Sequence, residues 1–226
     1  MPGIGLLNEK PLHASLKEWY ARPGDQFEVA VGGYVIDLVR GNLLLEIQTG
    51  NFASIKSKLK NLVCSHRVQL IYPIAQEKWI IKRAKDNNGG VTRRKSPRRG
   101  RLEDLFREMV SFPQLLVDRN FSLEVLLIVE EEVRRYERKR KWRRKGWVVE
   151  ERRLLKVVDR RLFEKPADWR VFLPKELTSF TTRDLADELE ISIQLAQKVA
   201  YCLRNAGVID LTGKRGRANL YKIAGI

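Results

Sequence analysis

Two apolar runs joined by Gly41-Asn42, in VIDLVRGNLLLEIQT, constrain this chain more than any other stretch. A two-residue connection with glycine first predicts a type II′ hairpin in which Arg40 opposes Leu43, Val39 opposes Leu44 and Leu38 opposes Leu45. Continued one step, that register sets Asp37 across from Glu46, and Gln48 emerges on the same face two positions on. The opposite face carries Ile36, Leu38, Leu45 and Ile47, while Val35, Val39 and Leu44 flank the acids on their own side. Both faces therefore predict burial, as in a central sheet covered by helices. Carboxylates facing each other in such a place repel, and they call for something positive between them.

The flanking sequence supplies the covers. In EKPLHASLKEWYA, residues 9 to 21, Leu12, Leu16 and Trp19 recur at helical spacing, with Asn8 as candidate N-cap and Pro11 in the first turn. After RPGDQ come three extended segments, QFEVAV, GYVIDLV and NLLLEIQT. A second helix follows, with Phe52, Ile55, Leu59, Leu62 and Val63 on one stripe, and then two strands, VQLIYPI and KWIIKR, in which Tyr72 and Pro73 read as core. This order predicts an α/β fold over residues 1–84, a central mixed sheet flanked by helices. Residues 85–101 read as a mobile basic loop, and residues 102–170 as an α/β extension. That extension contains the helix LEDLFREMVSF and the strand SLEVLLIVEEEV, whose tail is open to helix, with WVVEERRLLKVV returning as the partner of a long hairpin.

Charge narrows the partners. The 44 Lys and Arg outnumber the 28 Asp and Glu, leaving +16, which favours a polyanion, with nucleic acid as the default. Arg93, Arg94, Lys95, Arg98 and Arg99 crowd the loop, and Arg143, Arg144 and Lys145 lie in RRYERKRKWRRKGW. In that run Tyr136, Trp142 and Trp147 either stack nucleobases or pack beneath the hairpin. No apolar run is long enough for a bilayer span and the N-terminus does not read as a signal peptide, so no membrane partner and a cytoplasmic location are expected. Cys64 and Cys202 stand far apart without a CxxC pair, which argues against zinc and makes both thiols candidate core residues.

In residues 171–226, FTTRDLADELEI offers Thr181 or Thr182 as N-cap ahead of Leu185, Ala186 and Leu189. The next helix has Ile193, Leu195, Ala196, Val199 and Leu203 as its apolar set and ends at Gly207, and two short strands then surround Gly213-Lys214-Arg215-Gly216-Arg217. Helix, turn, helix and a hairpin with a cationic tip resembles the winged helix-turn-helix family over residues 175 to 224. The resemblance implies a separate C-terminal domain with its second helix, bearing Gln194, Gln197 and Lys198, in the major groove, and Lys214, Arg215 and Arg217 on the backbone.

Between Asp37 and Glu46 a hard divalent cation fits best, Mg²⁺ or Mn²⁺, since no soft ligand stands nearby. Glu9, three residues before Leu12 and seven before Leu16, leans toward the same buried side. Acid on the first helix, Asp on a strand, a hairpin, then Glu-x-Gln resembles the PD-(D/E)xK nucleases, restriction endonucleases and archaeal Holliday-junction resolvases, across roughly residues 5 to 83. The resemblance implies a restriction-endonuclease-like fold and a metal-dependent DNA endonuclease. Glu9, Asp37 and Glu46 match the metal-binding acids, the Ile47 carbonyl completes the set, and Gln48 replaces the usual lysine to position water. Lys56 or Lys58, in the following helix, is the candidate source of the missing charge. His13 either faces the site or is simply packed, and Glu28 either approaches the acids or forms a strand-edge salt bridge. A homodimer is a family-based expectation. Two alternatives stay open: a nuclease-fold DNA-binding or regulatory protein without turnover, and an RNA-processing nuclease.

Overall fold

A computed structural model describes residues 10–83, 90–137, 146–174 and 177–225. The first helix, α1 (Pro11–Tyr20), starts with Pro11, whose missing N–H costs nothing in a first turn. It buries Leu12, Leu16 and Tyr20 at steps of four, so Tyr20 rather than the expected Trp19 faces inward. Asn8, the expected cap, lies outside the described residues.

Strands β1 (Gln26–Val31), β2 (Tyr34–Arg40) and β3 (Leu43–Ile47) form an antiparallel meander. The β2–β3 register is the expected one, with Arg40 opposite Leu43, Val39 opposite Leu44 and Leu38 opposite Leu45. Gly41 turns the chain at φ +57°, while Asn42 keeps a negative φ, the pattern of a II′ turn. Helix α2 (Lys56–Val63) then crosses over, and β4 (Arg67–Lys82) returns parallel to β3. β4 is one strand rather than two, with an irregularity between Ala75 and Glu77. Pro73 is tolerated because it falls where β3 has ended at Ile71 and β5 (Thr92–Lys95) begins only at Trp79. That short β5 corrects the loop reading of 85–101, since Arg93, Arg94 and Lys95 pair with β4.

The expected long hairpin is present as β6 (Phe121–Tyr136) and β7 (Trp147–Phe163), paired from Leu123–Phe163 to Tyr136–Trp147. β6 is strand throughout, without a helical tail. Among the described residues the main sheet has seven strands in the order β1-β2-β3-β4-β6-β7, with β5 on β4. α1 covers one face over Leu38, Leu45, Ile47, Ile71 and Leu126. α2, the short α3 (Phe106–Met109) and the turns around it cover the other. The protein is thus α/β, with a mixed sheet flanked by helices, as the hairpin had indicated.

The last segment is β8 (Ser179–Thr181), α4 (Thr182–Glu188), α5 (Ile193–Asn205), β9 (Ile209–Arg215) and β10 (Ala218–Ile223), with β10 central in a three-stranded antiparallel sheet. Thr181 caps α4 in a capping box with Asp184, and Gly207 ends α5 at φ +63°. This segment does not stand apart as expected. Phe180, Leu185, Val199 and Leu203 belong to the same buried cluster as Leu105, Phe106, Trp169 and Phe172. Ring contacts carry that cluster inward, with Phe163 stacked on Trp169 at 4.3 Å and Phe106 edge-on to Phe172 at 4.8 Å. Cys202 is buried as expected, but Cys64 is exposed because it follows α2's buried Val63 on the solvent side. Ile193 is likewise 41% exposed at the start of α5.

One shared core implies one cooperative unfolding transition. Urea titrations followed by tryptophan fluorescence and far-UV circular dichroism should coincide. Trp169→Ala should destabilise the whole chain by about 3–5 kcal/mol rather than melt one part.

Candidate active site

The acid pair sits where β2 and β3 part. Their ladder stops at Leu38–Leu45, and in place of the next backbone partner the Asp37 carboxylate accepts the Ile47 N–H at 2.8 Å. Across the break, β1 carries Glu28 at φ +52°, a left-handed conformation uncommon for a side chain of this kind. The change of course also separates neighbours: Leu38 packs with α1, whereas Ile36, expected beside it, joins the cluster under α2. The chain therefore bends at Asp37, and the carboxylate satisfies an amide that a continuous ladder would have paired.

Each helix brings a cation to this opening. On α1, His13 and Lys17 each follow a buried leucine, and Lys17 is itself buried. His13 Nε2 lies 3.2 Å from Asp37 Oδ2, and Lys17 Nζ lies 3.0 Å from Glu28 Oε1. On α2, Lys58 precedes the buried Leu59 and reaches back to β3, its Nζ 2.5 Å from Glu46 Oε1. The same ammonium also donates to the Val35 carbonyl at 2.6 Å, so Lys58 ties the buried Glu46 on β3 to the backbone of β2. Lys58 is thus the one of the two candidate lysines found against the acids. Glu28 forms the salt bridge that was one of its two readings.

The two carboxyls differ in protonation. Burial alone would raise Asp37, but the His13 hydrogen bond and charge, with the Ile47 amide, hold it below the usual aspartate value. Glu46 is pushed up to about 7, first by burial and then by the Asp37 charge, with Lys58 opposing both. A low and a high carboxyl side by side suit proton handling near neutral pH, and they also suit a cation that displaces the last proton.

Gln48 is turned away from its expected role. Its N–H bonds to the Ile71 carbonyl at 2.9 Å, and its side-chain amide donates to the carbonyls of Gly50 and, at 3.3 Å, Asn51, tying down the turn into α2. Glu9 lies outside the described residues. Among the described residues, no three His, Cys, Asp or Glu side chains gather as a ligand set.

The basic residues are spread over the long strands, the segment after β5 and the C-terminal segment. Arg93 lies over the Trp79 ring at 4.0 Å and pairs with Glu131 at 3.1 Å, Arg94 is exposed on β5, and Lys95 and Arg99 approach Glu77 at 2.8 and 3.9 Å. Arg98 is exposed beside them. Tyr136 and Trp147 pack edge to face at 5.7 Å with Lys82 over the indole at 4.6 Å, which favours packing over base stacking for these two. Trp142, Arg143, Arg144 and Lys145 lie outside the described residues. On α5, Gln194 and Gln197 are exposed and Lys198 half-buried; on the β9–β10 hairpin, Lys214 and Arg217 are exposed. Arg215 instead reaches Asp184 at 3.0 Å.

Sequence reasoning passed over Lys17 and a buried network beneath α1. In that network Tyr20 donates to Glu124, Gln69 Nε2 lies 2.7 Å from both partners, and Arg160 Nε is 2.6 Å from Glu124 Oε1. Burial, then Glu124, pushes the Tyr20 hydroxyl up to about 12. Lys17 was legible as His13 plus one helical turn, whereas the network joins residues too distant in sequence to be paired by spacing.

Because Glu46 holds its proton more tightly folded than unfolded, stability is greatest below pH 4.5 for this group and falls as pH rises toward 7. Glu46→Gln should remove on the order of 3 kcal/mol of that fall, read as flatter urea midpoints between pH 5 and pH 8.

The comparisons add a family without adding a chemistry. No solved structure matches this chain. A protein of Treponema pallidum (strain Nichols), described as "Uncharacterized protein", is 27% identical over 221 residues, 97% of this chain and 87% of that one. The sheet, the α1 helix and the acid pair all fall within residues 10–164, which match the family described as "Domain of unknown function (DUF8091)", and to that family the chain belongs.

Proposed function

We propose that this protein is a metal-dependent DNA endonuclease with a restriction-endonuclease-like core and a C-terminal winged helix. The observation that carries the reading is the meeting of Asp37 and the buried Glu46 at the break between β2 and β3, beside Lys58. These donors fit a hard cation. Asp37, Glu46 and the Ile47 carbonyl would hold Mg²⁺ or Mn²⁺, with Glu9 as the third carboxylate. Such an ion supplies positive charge to a phosphodiester and lowers the pKa of a water.

The chain's own groups have separable parts in this chemistry. His13 holds Asp37 ionised and oriented. Lys58 supplies the charge that the family pattern places at the position of Gln48, and it approaches from α2. Gln48 fixes the turn that presents Ile47. The order β8-α4-α5-β9-β10 supports the winged-helix reading, with Gln194 and Gln197 on the exposed face of α5 and Lys214 and Arg217 on the wing. A net charge of +16 supports a nucleic-acid partner.

A second reading has its own observation. Each acid already has a partner, His13 for Asp37 and Lys58 for Glu46, and the Gln48 amide is spent on its own turn, as expected of a nuclease scaffold kept for binding alone.

Cleavage separates the two. With Mg²⁺ and a panel of single-stranded, duplex, flapped and four-way DNA plus RNA, the parent should cut DNA, and Asp37→Ala should slow cutting about a hundredfold or more. Mg²⁺ should raise the melting temperature of the parent but not of Asp37→Ala. Stabilisation by Mg²⁺ without cutting of any substrate would favour the binding protein. Independently, Lys214→Ala and Arg217→Ala should each reduce the log–log salt slope of DNA binding by about one.

A further inference from the structure

Beyond the carboxyl end of β3, where Thr49 follows Gln48, a cleft of about 370 Å³ opens between β4, the segment that follows β5, α3 and the β6–β7 hairpin. Five cations from separate elements line it: Lys78, Arg98, Arg107, Arg134 and Arg152. Clefts outside the carboxyl ends of parallel strands are where open α/β sheets bind ligands, and the volume is that of a small-molecule site rather than a duplex groove.

Buried acids hold these cations in place. Glu130, fully buried on β6, takes Lys78 at 2.8 Å and the Arg152 guanidinium at 2.9 Å. Glu132 takes Lys78 at 3.1 Å and Arg134 at 2.6 Å. Isolated carboxylates at such depth are costly, so the acids fix the cations as firmly as the cations fix them. The other two lining acids are also occupied: Asp104 accepts the Arg101 N–H at 3.0 Å and pairs with Arg107 at 2.7 Å, and Glu108 accepts the Phe52 N–H at 3.0 Å. Arg98 has no carboxylate at ion-pair distance among the described residues. Its segment is pinned at Gly100, whose N–H bonds to the Ala75 carbonyl at 2.9 Å and whose absent Cβ would come within 2.6 Å of that oxygen. Immediately after that pin, Arg101 grips the α4–α5 turn through the carbonyls of Leu189 and Glu190 at 2.7 and 2.9 Å. Arg101 thus links the segment that carries Arg98 to the C-terminal segment.

We infer that this cleft binds a phosphate monoester, as a phosphorylated nucleic-acid end or a free nucleotide, with Arg98 and Arg107 closing on a dianion that Lys78, Arg134 and Arg152 receive from below. Fixed guanidinium forks favour such a group over a hydroxyl end. The inference takes its source of phosphate from the nucleic-acid reading, but its chemistry stands on the cleft alone.

The test uses the full chain in EDTA, so that no cutting is involved. Anisotropy of labelled single-stranded oligonucleotides with 5′-phosphate, 3′-phosphate or hydroxyl ends should show one phosphorylated end binding about tenfold more tightly than hydroxyl. Inorganic phosphate and AMP should compete. The double variant Arg98→Ala/Arg107→Ala, both exposed positions, should keep the parent melting temperature and lose the preference. Asp37→Ala should retain it, which separates failure of the acid pair from failure of the cleft. Competition by AMP without any end preference would assign the site to free nucleotides. Equal affinity for all ends without competition, or a preference that survives the double variant, would overturn the inference.

Discussion

The Asp37 carboxylate bonded to the Ile47 amide is the interaction on which this architecture turns. A β-ladder that continued past Leu38–Leu45 would have closed the sheet and left no opening between β2 and β3. By taking over a backbone acceptor's task, a side chain ends the pairing without orphaning the amide, a state that burial would penalise. The left-handed Glu28 on β1 belongs to the same disturbance, since the strand beside the break must bend with it. Everything proposed for the site follows from that opening, because it admits Lys58 from one face and His13 from the other.

The second organising constraint is burial of charge. Glu46, Glu124, Glu130 and Glu132 are all buried on β3 and β6, and a chain so basic can meet the cost by pairing each with a Lys or Arg. The consequences differ by place. At Glu124 the network with Tyr20 and Gln69 is closed and lies under α1, where it fixes the helix on the sheet. Around Glu130 and Glu132 the cations border an open cleft. At Glu46 the compensation is incomplete, and the carboxyl rises to about 7.

A continuous core explains why the terminal segment acts with the rest. Phe106, Trp169 and Phe172 form the seam between the sheet and the α4–α5 pair, and Arg101 reinforces it with two bonds to the α4–α5 turn. The sheet and the C-terminal segment are therefore held by one buried cluster rather than by two separate ones.

Local chemistry in the sequence determined the hairpin and its register, because glycine at a two-residue turn and alternating side chains leave little choice. The same holds for the α/β class, the long β6–β7 return and the caps at Thr181 and Gly207. The acids at Asp37 and Glu46 were visible for the same reason: charge inside an apolar run is conspicuous. Tertiary structure alone decided that the ladder stops at Leu38, that Lys58 rather than Lys56 reaches Glu46, and that Gln48 serves its own turn. It also made β5 from a stretch that reads as loop, since Thr92–Lys95 gains strand form only by pairing with β4. Periodicity reports which face a residue occupies, but not which distant residue occupies the place opposite, and the partner that orients Asp37 lies 24 positions away in the chain.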